Sequence, residues 1–333
     1  MPAELPNPAG EWIDKIFRLQ ASSFEETALQ IFQFQYASNR LYAQYADAVG
    51  RHPGNVAALT DIPFLPIGFF KSHKLVSGNF IPEAVFESSG TTQTINSRHF
   101  VKSLALYRQS FLQAFTSYYG PVSDYCILAL LPSYLERQHS SLVVMADELI
   151  KQSHHPKSGF YLYEHEKLRN TLLELEKQQQ KTLLLGVTFA LLDFAETAHL
   201  QLQHTIIMET GGMKGRREEW TRARVHQLLT EKLGVATIHS EYGMTELLSQ
   251  AYSPGNGIFT CPPWMKIVLR EEDDPFNTGF YGNGIINVID LANVYSCSFI
   301  ATDDAGRLYP DNSFEVIGRT DNADLRGCSL MTV

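Results

Sequence analysis

A loop of hydroxyl-bearing residues surrounds a glycine near residue 90 and could hold a phosphate group. The loop follows a predicted strand and precedes a predicted helix. Its sequence is Glu87-Ser88-Ser89-Gly90-Thr91-Thr92. Glycine lets the backbone turn its N–H groups to one side, and Ser and Thr hydroxyls add hydrogen-bond donors. The GxxxxGK(S/T) pattern of a Walker A loop is absent, so the alternative is an ordinary polar loop.

A second segment combines an aromatic ring, a bend, a hydroxyl and a carboxylate, and it also follows a predicted strand. Its sequence is Ser240-Glu241-Tyr242-Gly243-Met244-Thr245-Glu246. An aromatic ring can stack on a base, a threonine can donate to a phosphate oxygen, and a carboxylate is an oxygen ligand that suits Mg²⁺. The alternative is a strand end at which Thr245 caps a helix.

Acidic residues accompany glycine and arginine near the end of the chain. The three segments are Thr302-Asp303-Asp304, Gly318-Arg319-Thr320-Asp321 and Asp324-Leu325-Arg326-Gly327-Cys328. Carboxylates in turns commonly accept hydrogen bonds from local backbone N–H groups. A carboxylate can equally hold the two hydroxyls of a ribose, as in other nucleotide sites.

Short apolar runs alternate with helical patterns in the middle of the chain. Strands are predicted at residues 84–86, 125–131, 181–187, 205–208 and 235–238. Helices are predicted at residues 100–119, 140–151, 164–179, 189–200 and 216–233, with Gly234 ending the last one. Strands that alternate with helices predict a largely parallel, doubly wound sheet.

The two ends of the chain have different patterns. Ser23 and Glu26 have the spacing of a capping box, and helical spacing of apolar residues continues to Gly50, which predicts one long helix. Residues 63–70 are predicted to form a buried loop. After about residue 255, short strands are predicted at residues 266–269, 284–290, 298–301 and 314–317.

These patterns predict three parts of the chain. Residues 1–80 form a helical lead-in packed on the main domain, residues 81–254 an α/β nucleotide-binding core, and residues 255–333 a β-rich subdomain. The composition agrees with a globular chain, because 44% of the 333 residues are hydrophobic and 19% are charged. These values exclude a disordered chain or a coiled coil.

The net charge and the hydropathy of the chain limit which partners the protein could bind and where in the cell it could be located. The net charge is -9 and no lysine or arginine block stands out, which argues against a nucleic-acid partner. No apolar run is long enough to span a membrane, and the acidic N-terminus lacks a signal-peptide core. The four cysteines are far apart and fit reduced thiols. We therefore expect a cytoplasmic protein without a membrane span.

The order of the three chemical segments resembles the adenylate-forming superfamily, which includes acyl-CoA synthetases, peptide-synthetase adenylation domains and firefly luciferase. A Ser/Thr/Gly loop, a Tyr-Gly-x-Thr-Glu segment, a Thr-Gly-Asp segment and a Gly-Arg-x-Asp hinge follow one another in that superfamily. The resemblance implies an α/β large-domain fold with doubly wound sheets and a β-rich C-terminal subdomain. It also implies the cofactors ATP and Mg²⁺.

Within that superfamily the chain looks most like the acyl-protein synthetases, the fatty-acid-activating component of the bacterial luminescence reductase complex. The likeness covers most of the chain from about residue 60 to the end. It rests on Phe64-Leu65-Pro66-Ile67, Phe69-Phe70-Lys71, Pro132-Ser133-Tyr134-Leu135-Glu136-Arg137, Glu209-Thr210-Gly211-Gly212-Met213-Lys214-Gly215 and Arg326-Gly327-Cys328.

The resemblance implies a role for each matching residue. The phosphates of ATP would contact Ser88, Ser89, Gly90, Thr91 and Thr92. Tyr242 would frame the adenine together with Gly211 and Gly212, and the neighbouring ATP-site positions would be Glu241, Gly243, Met244 and Arg319. Thr245 would contact the α-phosphate, Glu246 would bind Mg²⁺, and Asp304 would hold the ribose.

The chain departs from the superfamily pattern at two places. The Thr-Gly-Asp segment reads Thr302-Asp303-Asp304, so either aspartate could face the ribose. Most relatives also continue past the hinge into a small C-terminal domain that supplies a catalytic lysine, whereas this sequence stops at Val333. The expected fold therefore lacks that small domain.

Three cations could take the role of the missing lysine, and one cysteine could accept the acyl group. Lys214, Lys71 and Arg319 are the available cations, and Lys214 is favoured because it follows the Gly211-Gly212 turn. The alternative for Lys214 is a solvated surface lysine.

Cys328 is the predicted acyl acceptor, because a thiol accepts an activated acyl group and Arg326 could lower its pKa. The alternative for Cys328 is an inert packed residue.

The predicted function is ATP-dependent activation of a carboxylic acid, of the fatty-acid class, to an acyl adenylate. The acyl group would then pass to a cysteine thiol or an acyl-acceptor protein. One alternative is a ligase that uses coenzyme A. The other alternative is a non-catalytic nucleotide-binding subunit that has the fold without the chemistry.

Overall fold

The computed structural model describes residues 9–88, 95–132, 139–211 and 220–319. In these ranges the α-helices are α1 Ala9–Phe17, α2 Phe24–Ser38, α3 Arg40–Ala48, α4 Phe69–Ser72, α5 Leu104–Tyr119, α6 Ser141–Ser153, α7 His165–Lys177, α8 Thr188–Ala198 and α9 Arg222–Leu233. The strands are β1 Leu65–Pro66, β2 Ala84–Glu87, β3 Arg98–Val101, β4 Cys126–Leu130, β5 Gly159–Phe160, β6 Thr182–Val187, β7 Thr205–Thr210, β8 His239–Tyr242, β9 Ala251–Ser253, β10 Ile258–Phe259, β11 Met265–Arg270, β12 Thr278–Gly279, β13 Gly282–Asp290, β14 Phe299–Leu308 and β15 Phe314–Arg319.

A six-stranded sheet forms the centre of the molecule, in the order β5-β4-β6-β7-β8-β9. The first five strands run parallel, and β9 is antiparallel to β8. Every residue of β4 and β6 is buried, as expected for strands covered on both faces by crossover helices. The predicted doubly wound, largely parallel sheet is confirmed.

Among the described helices, none has the length and apolar character needed to cross a membrane.

A second sheet contains the strands of the last part of the chain. Its order is β10-β15-β14-β13-β11-β12, with antiparallel pairing throughout this path. Strand β1 joins it from the first part of the chain by pairing in parallel with β14, so that Leu65 faces Ile300. Strands β2 and β3 form a separate antiparallel hairpin. The predicted β-rich C-terminal part is therefore confirmed.

Two predicted elements near the parallel sheet were placed wrongly. The strand predicted at residues 235–238 lies instead at β8, because pairing with β7 begins only where His239 faces Met208. Gly234 does end α9, in the left-handed conformation with φ of 67°, as predicted. The helix predicted from residue 100 begins at Leu104, because the preceding residues pair with β2.

The predicted long N-terminal helix is two helices. Asn39 separates α2 from α3, and its side chain accepts a hydrogen bond from the Tyr42 N–H at 3.1 Å, which caps α3. The predicted capping box is also wrong: the Ser23 hydroxyl donates to the Gln20 carbonyl at 3.0 Å rather than capping α2. Apolar periodicity continues through Asn39, so the pattern alone could not locate the break.

Buried amides attach these first helices to the second sheet. The Gln35 side chain is fully buried and its Nε2 donates to the carbonyls of Asn293 and Val294 at 3.1 and 2.9 Å. Its Oε1 accepts from the Ser298 N–H at 3.0 Å. The Asn39 Nδ2 donates to the Ser296 carbonyl at 3.1 Å.

The division into domains at residues 80 and 254 stays a prediction.

Replacement of Gln35 by leucine should destabilise the protein strongly. Gln35→Leu leaves the Val294 carbonyl and the Ser298 N–H buried without their partner, and the expected loss is about 2–4 kcal/mol of unfolding free energy. Urea denaturation measures this loss. Gln33→Leu, on the exposed side of the same helix, is the control and should change stability by about 0.5 kcal/mol or less. Equal losses in the two variants would contradict the assigned role of the buried amide.

Candidate active site

The carboxyl ends of three parallel strands bring polar side chains to one edge of the central sheet. Thr188 follows β6, Glu209 and Thr210 end β7, and Glu241 and Tyr242 end β8. The register places Glu209 beside Ser240 and Thr210 beside Glu241. In open α/β sheets this edge is where ligands bind. The predicted residues of the 240–246 segment therefore lie where a ligand site is expected.

Glu209 is a buried carboxylate with several hydrogen-bonding partners. Its Oε2 accepts from the Thr188 hydroxyl at 2.9 Å, and its Oε1 accepts from the Ser240 hydroxyl at 2.8 Å. The Arg222 Nε and the His226 Nε2 lie 3.6 and 3.5 Å from Oε1. Burial opposes ionisation, but the bond to His226 and the charges of Arg222 and His226 outweigh it, so the Glu209 pKa is below its ordinary value.

The Glu209 network also fixes the start of the predicted adenine-framing turn. The Thr188 hydroxyl, which donates to Glu209, lies 3.2 Å from the Gly211 carbonyl oxygen. Gly211 has a φ of 70°, a conformation that glycine adopts without strain. Sequence analysis gave Glu209 and Thr188 no role, because their contact depends on the register of β6 and β7. Gly212, the other predicted residue of the turn, lies outside the described residues.

Glu241 is a buried carboxylate of a different kind. Burial raises its pKa, a hydrogen bond from the Thr210 hydroxyl opposes the shift, and the nearby Glu209 charge adds to it, so that the pKa is about 7. A Cβ atom at residue 243 would collide with this carboxylate, so Gly243 leaves the space that the Glu241 side chain occupies. Glu241 and Gly243 were both predicted to be site residues, and the structure shows that they are packed against each other.

The Asp304 carboxylate bonds to two other predicted site residues, and these two residues lie on different sheets. Its Oδ2 accepts from the Tyr242 hydroxyl at 2.9 Å, and its Oδ1 accepts from the Arg319 Nε at 3.0 Å. Asp304 is only 1% exposed, whereas the neighbouring Asp303 is exposed. The Tyr242 ring packs edge-on against Phe314, with 5.5 Å between ring centroids. The structure therefore unites Tyr242, Asp304 and Arg319, which lie far apart in the sequence.

Thr245 and Glu246 are fixed from outside their own segment. The His99 Nδ1 lies 2.8 Å from the Thr245 carbonyl oxygen, which can only accept, so Nδ1 donates. Burial lowers the His99 pKa to about 4. The Asn293 Nδ2 donates to the Glu246 carbonyl at 2.8 Å, and the Glu246 side chain is fully buried. Met244, between Gly243 and Thr245, packs partly buried against the core.

Asp290 fixes the residues that follow Glu246. Its carboxylate accepts from the N–H groups of Leu248 and Ser249 at 2.8 and 3.0 Å and from the Ser249 hydroxyl at 2.6 Å. Burial raises its pKa to about 6, although these donors oppose the shift. Sequence analysis missed His99 and Asp290, since neither belongs to a motif and both act across elements distant in the chain.

The base of the predicted phosphate loop is closed by a reciprocal pair of hydrogen bonds. The Ser88 N–H donates to the Ser97 carbonyl at 3.1 Å, and the Ser97 N–H donates to the Ser88 hydroxyl oxygen at 2.9 Å. Ser88 is buried and therefore holds the loop together at its base. The other predicted residues of the loop lie outside the described residues, as do two further candidates: Ser89, Gly90, Thr91, Thr92, Lys214 and Cys328.

The described residues fit a magnesium ion that is bound mainly through a nucleotide. In the described parts of the chain no three His, Cys, Asp or Glu side chains cluster as a metal site would require. Mg²⁺ commonly uses one or two carboxylates together with substrate phosphates and water. Glu246, next to Thr245 at the sheet edge, would supply such a single carboxylate.

The fold is that of the large domain of adenylate-forming acyl-CoA synthetases. ATP-bound MatB from Rhodopseudomonas palustris matches with a TM-score of 0.54 and 18% identity, covering 83% of this chain and 56% of that one. A 2-hydroxyisobutyryl-CoA ligase in complex with 2-HIB-AMP and CoA matches with a TM-score of 0.64 and 11% identity, covering 96% and 80%. O-succinylbenzoate coenzyme A synthetase (MenE) from Bacillus subtilis, in complex with ATP and a magnesium ion, matches with a TM-score of 0.50 and 17% identity, covering 72% and 50%. The chain thus spans about half the length of MatB and of MenE.

The family is defined more closely by the sequence. The model of LuxE, the acyl-protein synthetase family, matches residues 17–332. The chain therefore belongs to the LuxE acyl-protein synthetase family, which confirms the resemblance. Among curated protein sequences, none matches the chain.

Replacement of Glu241 by glutamine should change how stability depends on pH. The folded pKa of about 7 exceeds the ordinary value of 4.5, so the folded state holds the proton more tightly than the unfolded state. The contribution of Glu241 to the unfolding free energy should therefore fall as the pH rises from about 4.5 to about 7 and level off above that. At about 1.4 kcal/mol per pKa unit, the Glu241 contribution is about 3 kcal/mol.

Urea denaturation at pH 5 and pH 8 measures this dependence. Glu241→Gln cannot titrate, so its loss of stability between the two pH values should be smaller by most of that amount. Glu271→Gln, at an exposed position, should keep the wild-type dependence. If Glu241→Gln lost as much stability as the wild type between pH 5 and pH 8, the assigned titration would be wrong.

Proposed function

We propose that the protein activates a carboxylic acid with ATP to form an acyl adenylate and then passes the acyl group to a thiol. The observation that carries this proposal is the group formed by Tyr242, Asp304 and Arg319, placed beside Thr245 and Glu246 at the carboxyl edge of the central sheet. Membership of the acyl-protein synthetase family supports the same reaction.

The adenosine part of ATP would bind between the two sheets. Asp304 would accept hydrogen bonds from the ribose hydroxyls, because each carboxylate oxygen has lone pairs beyond those used by Tyr242 and Arg319. Asp303 is exposed and is the less suitable aspartate. Tyr242 would frame the adenine together with Gly211 and Gly212, with Glu241, Gly243 and Met244 forming the supporting bend.

The phosphates would extend from the ribose toward the loop that begins at Ser88. Thr245 would donate to the α-phosphate, and the loop residues Ser89, Gly90, Thr91 and Thr92 would surround the remaining phosphates. Mg²⁺ bound at Glu246 would neutralise phosphate charge. Lys214 stays the predicted cation that takes the role of the missing lysine.

The reaction requires alignment more than it requires covalent catalysis. The acid carboxylate attacks the α-phosphorus, a new carboxyl oxygen to phosphorus bond forms, and the bond from the α-phosphorus to the bridging oxygen breaks as pyrophosphate leaves. Positioning the two reactants and stabilising the phosphate charge supply most of the acceleration in such a step. The buried supports of Thr245 and Glu246 provide that positioning, because His99 and Asn293 hold their carbonyl groups.

The thiol that accepts the acyl group would be Cys328. Its thiolate attacks the acyl carbonyl, a thioester forms, and AMP leaves with the electrons of the broken carbonyl carbon to oxygen bond. Burial raises the pKa of Cys126 to about 11 and of Cys297 to about 12, and it also raises the pKa of Cys261. These three cysteines are therefore poor nucleophiles, which supports Cys328.

Pyrophosphate exchange into ATP tests the activation step. The wild-type protein should catalyse the exchange with an acid from a panel that runs from acetate to palmitate and includes aryl acids, with the highest rates for the longer fatty acids. Asp304→Asn removes the charge that holds Arg319 and the ribose, and it should lower kcat/KM for ATP about tenfold or more. Asp303→Asn is the matched control and should stay within about twofold of wild type.

Two other outcomes would change the proposal. If the wild type still binds ATP but exchanges pyrophosphate with none of the acids in the panel, the protein is a non-catalytic nucleotide-binding subunit. If exchange occurs and added coenzyme A becomes acylated, the protein is an acyl-CoA ligase.

Intact-protein mass spectrometry tests the acyl acceptor. Incubation with ATP, Mg²⁺ and the best acid should add one acyl group, and neutral hydroxylamine should remove it because thioesters are labile to this nucleophile. Cys328→Ser should abolish the adduct, whereas Cys261→Ser should retain it. An adduct that survives in Cys328→Ser would show that another residue accepts the acyl group.

A further inference from the structure

Strand β14 has a gap along one of its edges. Strand β13 follows one edge, while the other edge pairs first with β1, at Ile300 and Ala301, and then with β15, from Asp304 onward. Thr302 and Asp303 lie between these two partners. A cleft opens at this gap, and its lining includes Lys71, Ser97, Asp303, Asp304 and Arg319. The cleft therefore connects Asp304 with the base of the predicted phosphate loop.

The backbone that carries Lys71 is fixed against this gap. Pro66 faces Ala301 in the β1–β14 pair, and the Ile67 N–H donates to the Ala301 carbonyl at 2.9 Å. Helix α4 follows immediately, and the Lys71 N–H donates to the Gly68 carbonyl at 3.0 Å. The neighbouring Phe70 is fully buried, so α4 is anchored in the core directly before Lys71.

A second contact ties α4 to the residues proposed to meet the nucleotide. The Phe70 ring packs edge-on against the His99 ring, with centroids 5.7 Å apart. His99 in turn donates to the Thr245 carbonyl. Lys71 is therefore connected, through one buried aromatic contact, to the segment proposed to contact the α-phosphate.

The charges in the cleft match a phosphate group. Arg319 is bonded to Asp304, which also accepts from Tyr242, so this pair is already arranged around the proposed ribose position. Lys71 brings a second cation to the same cleft, on the β1 side of the gap. A nucleotide with its ribose at Asp304 and its outer phosphates near the Ser88–Ser97 base must pass its first phosphate through this cleft.

We propose that Lys71 is a catalytic residue whose ammonium group contacts the α-phosphate of the bound nucleotide. This inference rests on the proposed function, because it requires an adenosine nucleotide at Asp304. Lys71 would act from the N-terminal lead-in, on the opposite side of the β14 gap from Arg319. The ligand chemistry it recognises is a 5′-phosphate attached to adenosine.

Binding of adenosine, AMP and ATP to the full chain, measured by isothermal titration calorimetry, tests this inference. Lys71→Met should weaken AMP and ATP binding about tenfold or more, the usual effect of losing a hydrogen bond to a charged group, and should leave adenosine binding unchanged. Lys71→Arg keeps the charge and should stay within a few-fold of wild type. Lys74→Met is the matched control, because Lys74 is exposed three residues further along and should affect none of the three ligands.

The outcomes separate this inference from the proposed function. AMP binding by Lys71→Met that equals wild type overturns the role of Lys71 and leaves the nucleotide site intact. Equal weakening of adenosine and AMP also overturns it, since Lys71 would then support the ribose position or the fold. Lys71→Gln, with unfolding measured alongside, provides a second variant if the methionine variant folds poorly. A wild type that binds none of the three ligands overturns the proposed function and this inference together.

Discussion

The buried carboxylate of Asp304 is the constraint on which the arrangement of the site depends. A buried charge is costly unless it is paired and hydrogen-bonded, and Asp304 is both, through Arg319 on β15 and Tyr242 on β8. One partner belongs to the β-rich sheet and the other to the parallel sheet. Because the carboxylate needs both, the two sheets must dock in a single relative position before Asp304 is satisfied. The geometry of the proposed nucleotide site follows from that docking.

Three other buried carboxylates have different surroundings, and each therefore has a different structural role. Glu209 has a guanidinium and an imidazole nearby, so it is suited to remain an anion that organises a turn. Glu241 has a hydroxyl partner and a neighbouring negative charge, so protonation costs little near neutral pH. The Asp290 carboxylate accepts hydrogen bonds from the backbone N–H groups of residues 248 and 249 and holds these residues in place. The number and charge of the donors determine each outcome.

Much of the fold could be predicted from the sequence, while the supports of the site could not. Hydrophobic runs located β4, β6 and β7, and Gly234 located the end of α9, because these signals are local. The break at Asn39 was missed because the apolar spacing continues through it, although the Asn39 side chain caps α3. The order of the motifs predicted that Tyr242 and Asp304 belong to one site, and the two side chains are hydrogen-bonded to each other. The contacts of His99 and Glu209 depend on strand register, which a single sequence does not specify.

The pairing of β1 with β14 also has a consequence for the order of folding. These strands are joined in parallel although more than two hundred residues separate Leu65 from Ile300 in the sequence. Contacts of such long range form late, because a large loop must close before they contribute. During synthesis on the ribosome, the edge of β1 has no partner until β14 has emerged. The cleft beside Asp304 therefore cannot be completed, and a nascent chain cannot engage a ligand there, before the residues of β14 and β15 have been synthesised.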